Sequence, residues 1–288
     1  MDSGGMRTGK IDTGRIDNGR MEKGGMDEKP HAREETPHRA PMGISERDEA
    51  VLRSAARDDL VLLARLHGGE LDGETLDALM ETPFAALFSL VPDDETARQA
   101  ASVIDNGWRA MDSGDTGGRA RLLDELAADF AALYLTGRHR AWPDESPWLD
   151  DDDLSRQQPM LEVRRWYERF GLAARDWRKL PDDHIALQLA FIAHLMDGDA
   201  ALEEAARFMD AHLMRWLADF AAAAAARCDT PFYAGLAMFT HAWCAALRGM
   251  LTRVTGVAPP PPEETADGEE PPAHAVGQPF VPGTGPVV

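Results

Sequence analysis

The sequence predicts an all-α protein, a single helical domain of roughly nine or more helices spanning residues 45–255. Three observations carry this: apolar residues recur at three- and four-residue spacing in several segments, strand-type alternation is absent, and prolines punctuate the chain where first helical turns would begin. Taken in order, Ser45 followed by Glu46 and Asp48 reads as a helix start, and Val51, Leu52, Ala55, Leu62 and Leu66 give an apolar stripe that ends at Gly68-Gly69. Leu123, Leu126, Phe130 and Leu133 form a second stripe. Ile185, Leu189, Ile192 and Met196 make another, and Met209, Leu213, Trp216 and Phe220 read as one helix continuing through six alanines to Arg227. Pro83, Pro159, Pro181 and Pro231 are read as first-turn prolines, because that position tolerates a missing N–H.

The ends are of different composition. Residues 3–27 divide into five pentapeptides with glycine second in each, a period that fits neither collagen nor a helix, so residues 1–44 read as a disordered Gly-rich tail. Residues 256–288, with four prolines at 259–262 and an acidic patch, read as a disordered Pro-rich tail.

Charge and cysteine content exclude several classes of function. The chain has 30 Lys+Arg against 50 Asp+Glu, a formal charge of −20, which disfavours nucleic acid and anionic lipid as partners and favours cationic ones. Its two cysteines, Cys228 and Cys244, are too few and too widely spaced for a disulfide scaffold or a zinc motif. The longest apolar stretch, Pro231 to Leu247, is shorter than the ~20 residues that span a bilayer, so no stable membrane insertion and a cytoplasmic location are expected. Phosphate-binding glycine loops, the G-x-S-x-G elbow and H-E-x-x-H are all missing, and no cofactor is expected.

Two stretches stand apart from the helical scaffold. From Thr136 to Asp150 the chain reads as part of a loop of about twenty residues that continues into Asp151–Asp153 and contains Trp142 and Trp148, whose apolar area argues against a solvated coil. The second is Leu180-Pro-Asp-Asp-His184. Asp182 or Asp183 would cap the following helix, and His184 would sit beside two carboxylates with a tunable charge, sharing a face with Gln188. An Asp183/His184 acid/base pair, as in a small hydrolase with or without a metal, and a helical adaptor for a folded partner both remain open on these residues.

Three stretches together resemble the TorD/DmsD family of cytoplasmic chaperones for molybdenum-cofactor oxidoreductases. Asp129-Phe-Ala-Ala-Leu-Tyr-Leu-Thr-Gly137 is similar to that family's helix and glycine turn, Ser146-Pro-Trp-Leu-Asp150 to its Ser-Val-Tyr/Trp loop, and Pro181-Asp-Asp-His184 to its Pro-x-Asp-His signature. The resemblance covers about residues 46–252. It departs where Thr136-Gly-Arg138 replaces a Gly-Pro-Gly turn, with Tyr134 as the aromatic before it. The resemblance implies a non-enzymatic chaperone that binds the twin-arginine signal peptide, and the body, of an oxidoreductase subunit before export. Carried onto this chain, the peptide-binding set is Tyr134, Gly137, Trp142, Ser146, Trp148, Leu149, Asp150, Pro181, Asp182, Asp183, His184 and Gln188. Trp142, Trp148 and Leu149 would form apolar walls, and Asp150, Asp182 and Asp183 would meet the arginines. On this basis Asp183→Asn is expected to weaken peptide binding at little cost in stability.

Overall fold

A computed structural model describes residues 44–111, 117–150, 154–198 and 200–261. Both tails, apart from residue 44 and residues 256–261, and the acidic run Asp151–Asp153 lie outside the described residues. The described chain is all-α, with ten α-helices and no strand. No described helix is long and apolar enough to cross a membrane.

Helix α1 (Glu46–Gly68) begins where Ser45 Oγ accepts the Asp48 N–H at 3.1 Å, and acidic residues fill its first turn, where the helix dipole favours them. Its buried face is Ala56, Leu60, Leu63 and Leu66, displaced from the stripe expected from sequence, and Val51 is exposed. The reason is polar. Asp59 lies within that face and accepts the N–H groups of Ser89 and Leu90, both at 2.8 Å, so the buried seam is set partly by a carboxylate that an apolar count passes over. Next come α2 (Gly73–Glu81), a 3-10 turn at Phe84–Leu87 and α3 (Glu95–Met111). Helix α4 (Gly118–Phe130) widens into a π-helical turn at Ala131–Leu135, closed by the Thr136 N–H on Ala131 O at 2.9 Å. Single π turns often re-aim side chains at working surfaces.

Residues 146–149 fold into a one-turn helix, α5 (Ser146–Leu149), so the long loop expected from sequence is shorter and partly ordered into helix. Helices α6 (Gln158–Arg169) and α7 (Ile185–Asp197) follow, and α7 buries nine of its 13 residues, the expected Ile185, Leu189, Ile192 and Met196 among them. The expected helix through Met209 and Phe220 is two helices, α8 (Leu202–Ala211) and α9 (Leu213–Arg227), interrupted at His212 with φ −129° and ψ −87°. Helix α10 (Pro231–Thr255) completes the bundle. Pro159 and Pro231 do open helices, whereas Pro83 only precedes the 3-10 turn and Pro181 stands upstream of α7.

The core is built by pairing. Helix α1 lies along α7, and α10 packs between α3 and α9. The approach of α3 to α10 depends on Gly235, where a Cβ would come within 2.6 Å of Ile104 Cγ1. Arg248 clamps α10 to α8 by a fork of hydrogen bonds to Asp210 at 2.7 and 2.6 Å. These pairings bring the C-terminal end of α1, the π turn and the approach to α7 to one side of the molecule, around a cleft.

Candidate functional site

The cleft has a volume of about 290 Å³ and is walled by four segments: His67–Gly69, Phe130–Leu135, Gly137 with Trp142–Asp144, and Lys179–Pro181 with His184. Arg156 and Ser155 complete its edge. Gly137 holds φ +62°, and a Cβ there would run into the six-membered ring of Trp142, so glycine is needed both for the turn and for seating the indole. Trp142 is held a second way, its carbonyl accepting Trp148 Nε1–H at 2.8 Å. Leu135, at the lip, is 65% exposed, unusual for a leucine that also lines a cleft.

The floor is a hydrogen-bonded row of neutral rings. Thr240 Oγ1 donates to Leu236 O at 2.8 Å, so its lone pair receives the proton of His67 Nε2 at 2.8 Å, and His67 Nδ1 then accepts the Tyr134 hydroxyl at 2.6 Å. Burial, with His184 nearby, pushes His67 down to about 3, so it stays uncharged at neutral pH. His184 is likewise held down at about 3 by burial. Its Nδ1 accepts the Ala186 N–H at 3.1 Å, making His184 the cap of α7, the role expected of Asp182 or Asp183.

Those two aspartates turn away from the cleft. Asp182 is buried and receives Arg164 Nε and an Arg164 terminal nitrogen at 3.2 and 2.7 Å, while its carbonyl takes the Tyr167 hydroxyl at 2.8 Å. Asp183, 0% exposed, accepts both the N–H and the Oγ–H of Ser146 on one oxygen, at 2.8 and 2.5 Å. An antiparallel bridge between Asp144 and His184 runs alongside, with Glu145 N–H on Asp183 O at 3.2 Å and Ile185 N–H on Pro143 O at 2.8 Å. Behind it Glu145 is buried, receiving Gln188 Nε2–H at 2.7 Å and His212 Nδ1–H at 3.0 Å. The bond to Glu145 draws His212 inward and accounts for the interruption between α8 and α9. Burial raises the Glu145 carboxyl, and His212 partly offsets the rise.

The residues expected from sequence thus fall into two layers. Tyr134, Gly137, Trp142, Pro181 and His184 line the cleft. Ser146, Asp182, Asp183 and Gln188 are buried in the knot behind it, and Trp148 packs against the core while pinning Trp142. Leu149 and Asp150 finish α5, outside the lining. The expectation of a rim formed by Asp182 and Asp183 is corrected by their burial: the carboxylate in the cleft wall is Asp144, which sequence reading missed along with His67, Leu135, Arg156 and Lys179. The acid/base alternative is corrected too, since Asp183 is bound to Ser146, His184 to Ala186, and neither to the other.

Among the described residues one group has metal-ligand chemistry, Asp129, His139 and Cys228, with ligand atoms within 4.8 Å of one another. Its carboxylate is already consumed: Asp129 accepts His139 Nε2–H at 2.9 Å, the Asp229 and Thr230 N–H groups at 3.1 and 2.9 Å, and the Thr230 hydroxyl at 2.5 Å. Burial also pushes the Cys228 thiol far above its ordinary range, so in the free protein it is a protonated thiol.

A family model described as the nitrate reductase delta subunit matches residues 93–222, the span that contains most of the cleft. The chaperone protein TorD of Vibrio vulnificus is 29% identical over 194 residues, 63% of this chain and 87% of its own length. Its namesake in Shewanella piezotolerans is 28% identical over 190 residues, 63% of this chain and 85% of the relative. A third, from Shewanella oneidensis, is 35% identical over 128 residues, 41% of this chain and 57% of the relative. These matches support a likeness to the TorD/DmsD family, and of the three stretches that carry the resemblance two, Asp129–Gly137 and Pro181–His184, meet at the cleft while Ser146–Asp150 lies outside its lining.

Proposed function

We propose that this protein is a cytoplasmic chaperone for a molybdenum-cofactor oxidoreductase subunit, and that the cleft between α1, the π turn and α7 receives the subunit's twin-arginine signal peptide. It assists cofactor loading before export by occupying that peptide. The observation that carries this reading is the cleft's surface: an exposed leucine, Leu135, beside Trp142, Tyr134 and Pro181, on a floor of two histidines kept neutral by burial. Such a surface suits the moderately apolar run of a signal peptide, and the relatives are named as chaperones, not enzymes. The body of the same oxidoreductase subunit is the expected larger partner.

The wall charges refine the electrostatic expectation. Asp144 is the one carboxylate among the lining residues, and Arg156 and Lys179 are its cations, already engaged with Arg178 O at 2.9 Å and Asp176 at 3.6 Å. Apolar contact should therefore dominate affinity. In calorimetric titrations with a twin-arginine signal peptide, raising the salt from about 50 to 500 mM should weaken binding only a few-fold, because screening removes only the Coulomb part. Trp142→Ala should weaken it about tenfold at every salt concentration, as expected when a central aromatic contact is deleted. Failure of the wild-type protein to bind such a peptide, or indifference to Trp142→Ala, would refute the reading.

A further inference from the structure

Asp144 is the one residue of the cleft wall whose hydrogen bonding is incomplete in a way the fold does not explain. It is 8% exposed, and its Oδ1 is fully buried with no hydrogen-bond partner. Of the neighbouring carboxylates, Asp182 has Arg164 and Glu145 has Gln188 and His212, while Asp183 is bonded to Ser146 through one oxygen and leaves the other without a partner, but it stands behind the wall and not in the cleft lining. A buried carboxylate without a partner costs stability, so its presence in a cleft wall calls for a donor that arrives from outside.

We propose that Asp144 is the anchoring carboxylate of the cleft and accepts one guanidinium of the bound peptide. This rests on the reading of the cleft as a peptide site and adds to it the atom that recognises the arginine. The groups around Asp144 favour such a donor. On the approach to α7 lie Asp183, whose charge repels that of Asp144, and the neutral His184. Arg156 attracts from the cleft edge but spends a terminal nitrogen on Arg178 O, and Lys179 stands out in solvent beside Asp176. Across the cleft, His67 and Tyr134 bond each other and carry no charge. With a single free carboxylate among the lining residues, the cleft seats one arginine of the pair and leaves the other at the rim.

A consequence follows for protons. Burial, with Asp183 adding to it, raises the Asp144 carboxyl to about 7, so near neutrality a good part of the free protein carries a proton there. A guanidinium binds the ionised form and pulls that pKa down, so docking releases the proton. The sign is fixed by linkage: affinity falls about tenfold per pH unit below 7 and levels off above about 8. The same shift costs the free protein stability as pH rises from the ordinary carboxyl value of 3.8 to about 7, and the cost is complete above that. Asp144→Asn should therefore raise the melting temperature most at pH 8 and clearly less at pH 5, which also establishes that the variant folds.

The test is calorimetric titration of full-length wild type and Asp144→Asn with a twin-arginine signal peptide at pH 7, in two buffers of different ionisation enthalpy. A second peptide has both arginines replaced by glutamine. Wild type should release about half a proton per peptide bound. Asp144→Asn should release none and bind about tenfold more weakly, and the glutamine peptide should bind both proteins equally. Equal affinity and equal proton release in wild type and variant would overturn the anchor while leaving the peptide site standing. If wild type bound neither peptide, the peptide reading and the anchor would fall together.

Discussion

Replacing Asp129 with alanine should lower the free energy of unfolding by about 4 kcal/mol, the largest loss expected from any polar substitution in this fold. The carboxylate joins the last turn of α4 to the start of α10 and to the loop at His139, accepting two backbone N–H groups, the Thr230 hydroxyl and an imidazole N–H. Alanine leaves the Asp229 and Thr230 N–H groups without an acceptor at a helix start that has no other side-chain cap. Thr230→Val removes only one of the four bonds and should cost about 1 kcal/mol. Urea denaturation followed by far-ultraviolet circular dichroism measures both. A loss below about 1 kcal/mol for Asp129→Ala would mean that water satisfies these groups and that the α4–α10 junction is not held by them.

Asp183→Ala should cost about 3 kcal/mol, since it strands both the N–H and the hydroxyl of buried Ser146. Burial raises the Asp183 carboxyl and the two Ser146 donors pull it back, so its main contribution is as an acceptor rather than as a charge offered to a ligand. Asparagine keeps an acceptor and should retain about half of the stabilisation. This reverses the expectation from sequence that Asp183→Asn is nearly silent in stability. The same denaturation experiment decides it, with peptide affinity measured on whatever remains folded. An Asn variant of wild-type stability with lost affinity would return Asp183 to the ligand.

What the sequence made legible, and what it hid, follow from the same physics. Helix α7 was readable because its burial is apolar and regular, so Ile185, Leu189, Ile192 and Met196 mark the face directly. In α1 the buried face includes Asp59 and His67, and a polar residue at a core position looks like a gap in the pattern, which displaced the expected stripe. The break at His212 was invisible for a similar reason. Both flanking segments keep helical spacing, and the cause is a bond to Glu145, 67 residues away in the chain. Of the family-like stretches, Asp129–Gly137 and Pro181–His184 supply part of the cleft lining, and Ser146–Asp150 lies outside it. Consecutive acids such as Asp182-Asp183 suggest a solvated charge, yet they are buried behind the wall. Asp144, between Pro143 and Glu145, gave no sign of facing the cleft. The one available signal was its setting, an acid flanked by Trp142-Pro143 and Ser146-Pro147, where rigid and apolar neighbours disfavour a free surface loop.

Site-specific photo-crosslinking tests the central claim, that a signal peptide lies in the cleft, most directly. A benzophenone side chain replacing Leu135 stands at the lip, and the same group replacing Val91, 53% exposed and outside the cleft lining, serves as the control. Irradiated with a twin-arginine signal peptide, the protein labelled at position 135 should form a covalent adduct that excess unlabelled peptide suppresses, and the protein labelled at position 91 should form none. Adduct at position 91 with none at position 135 would place the peptide elsewhere and contradict the account.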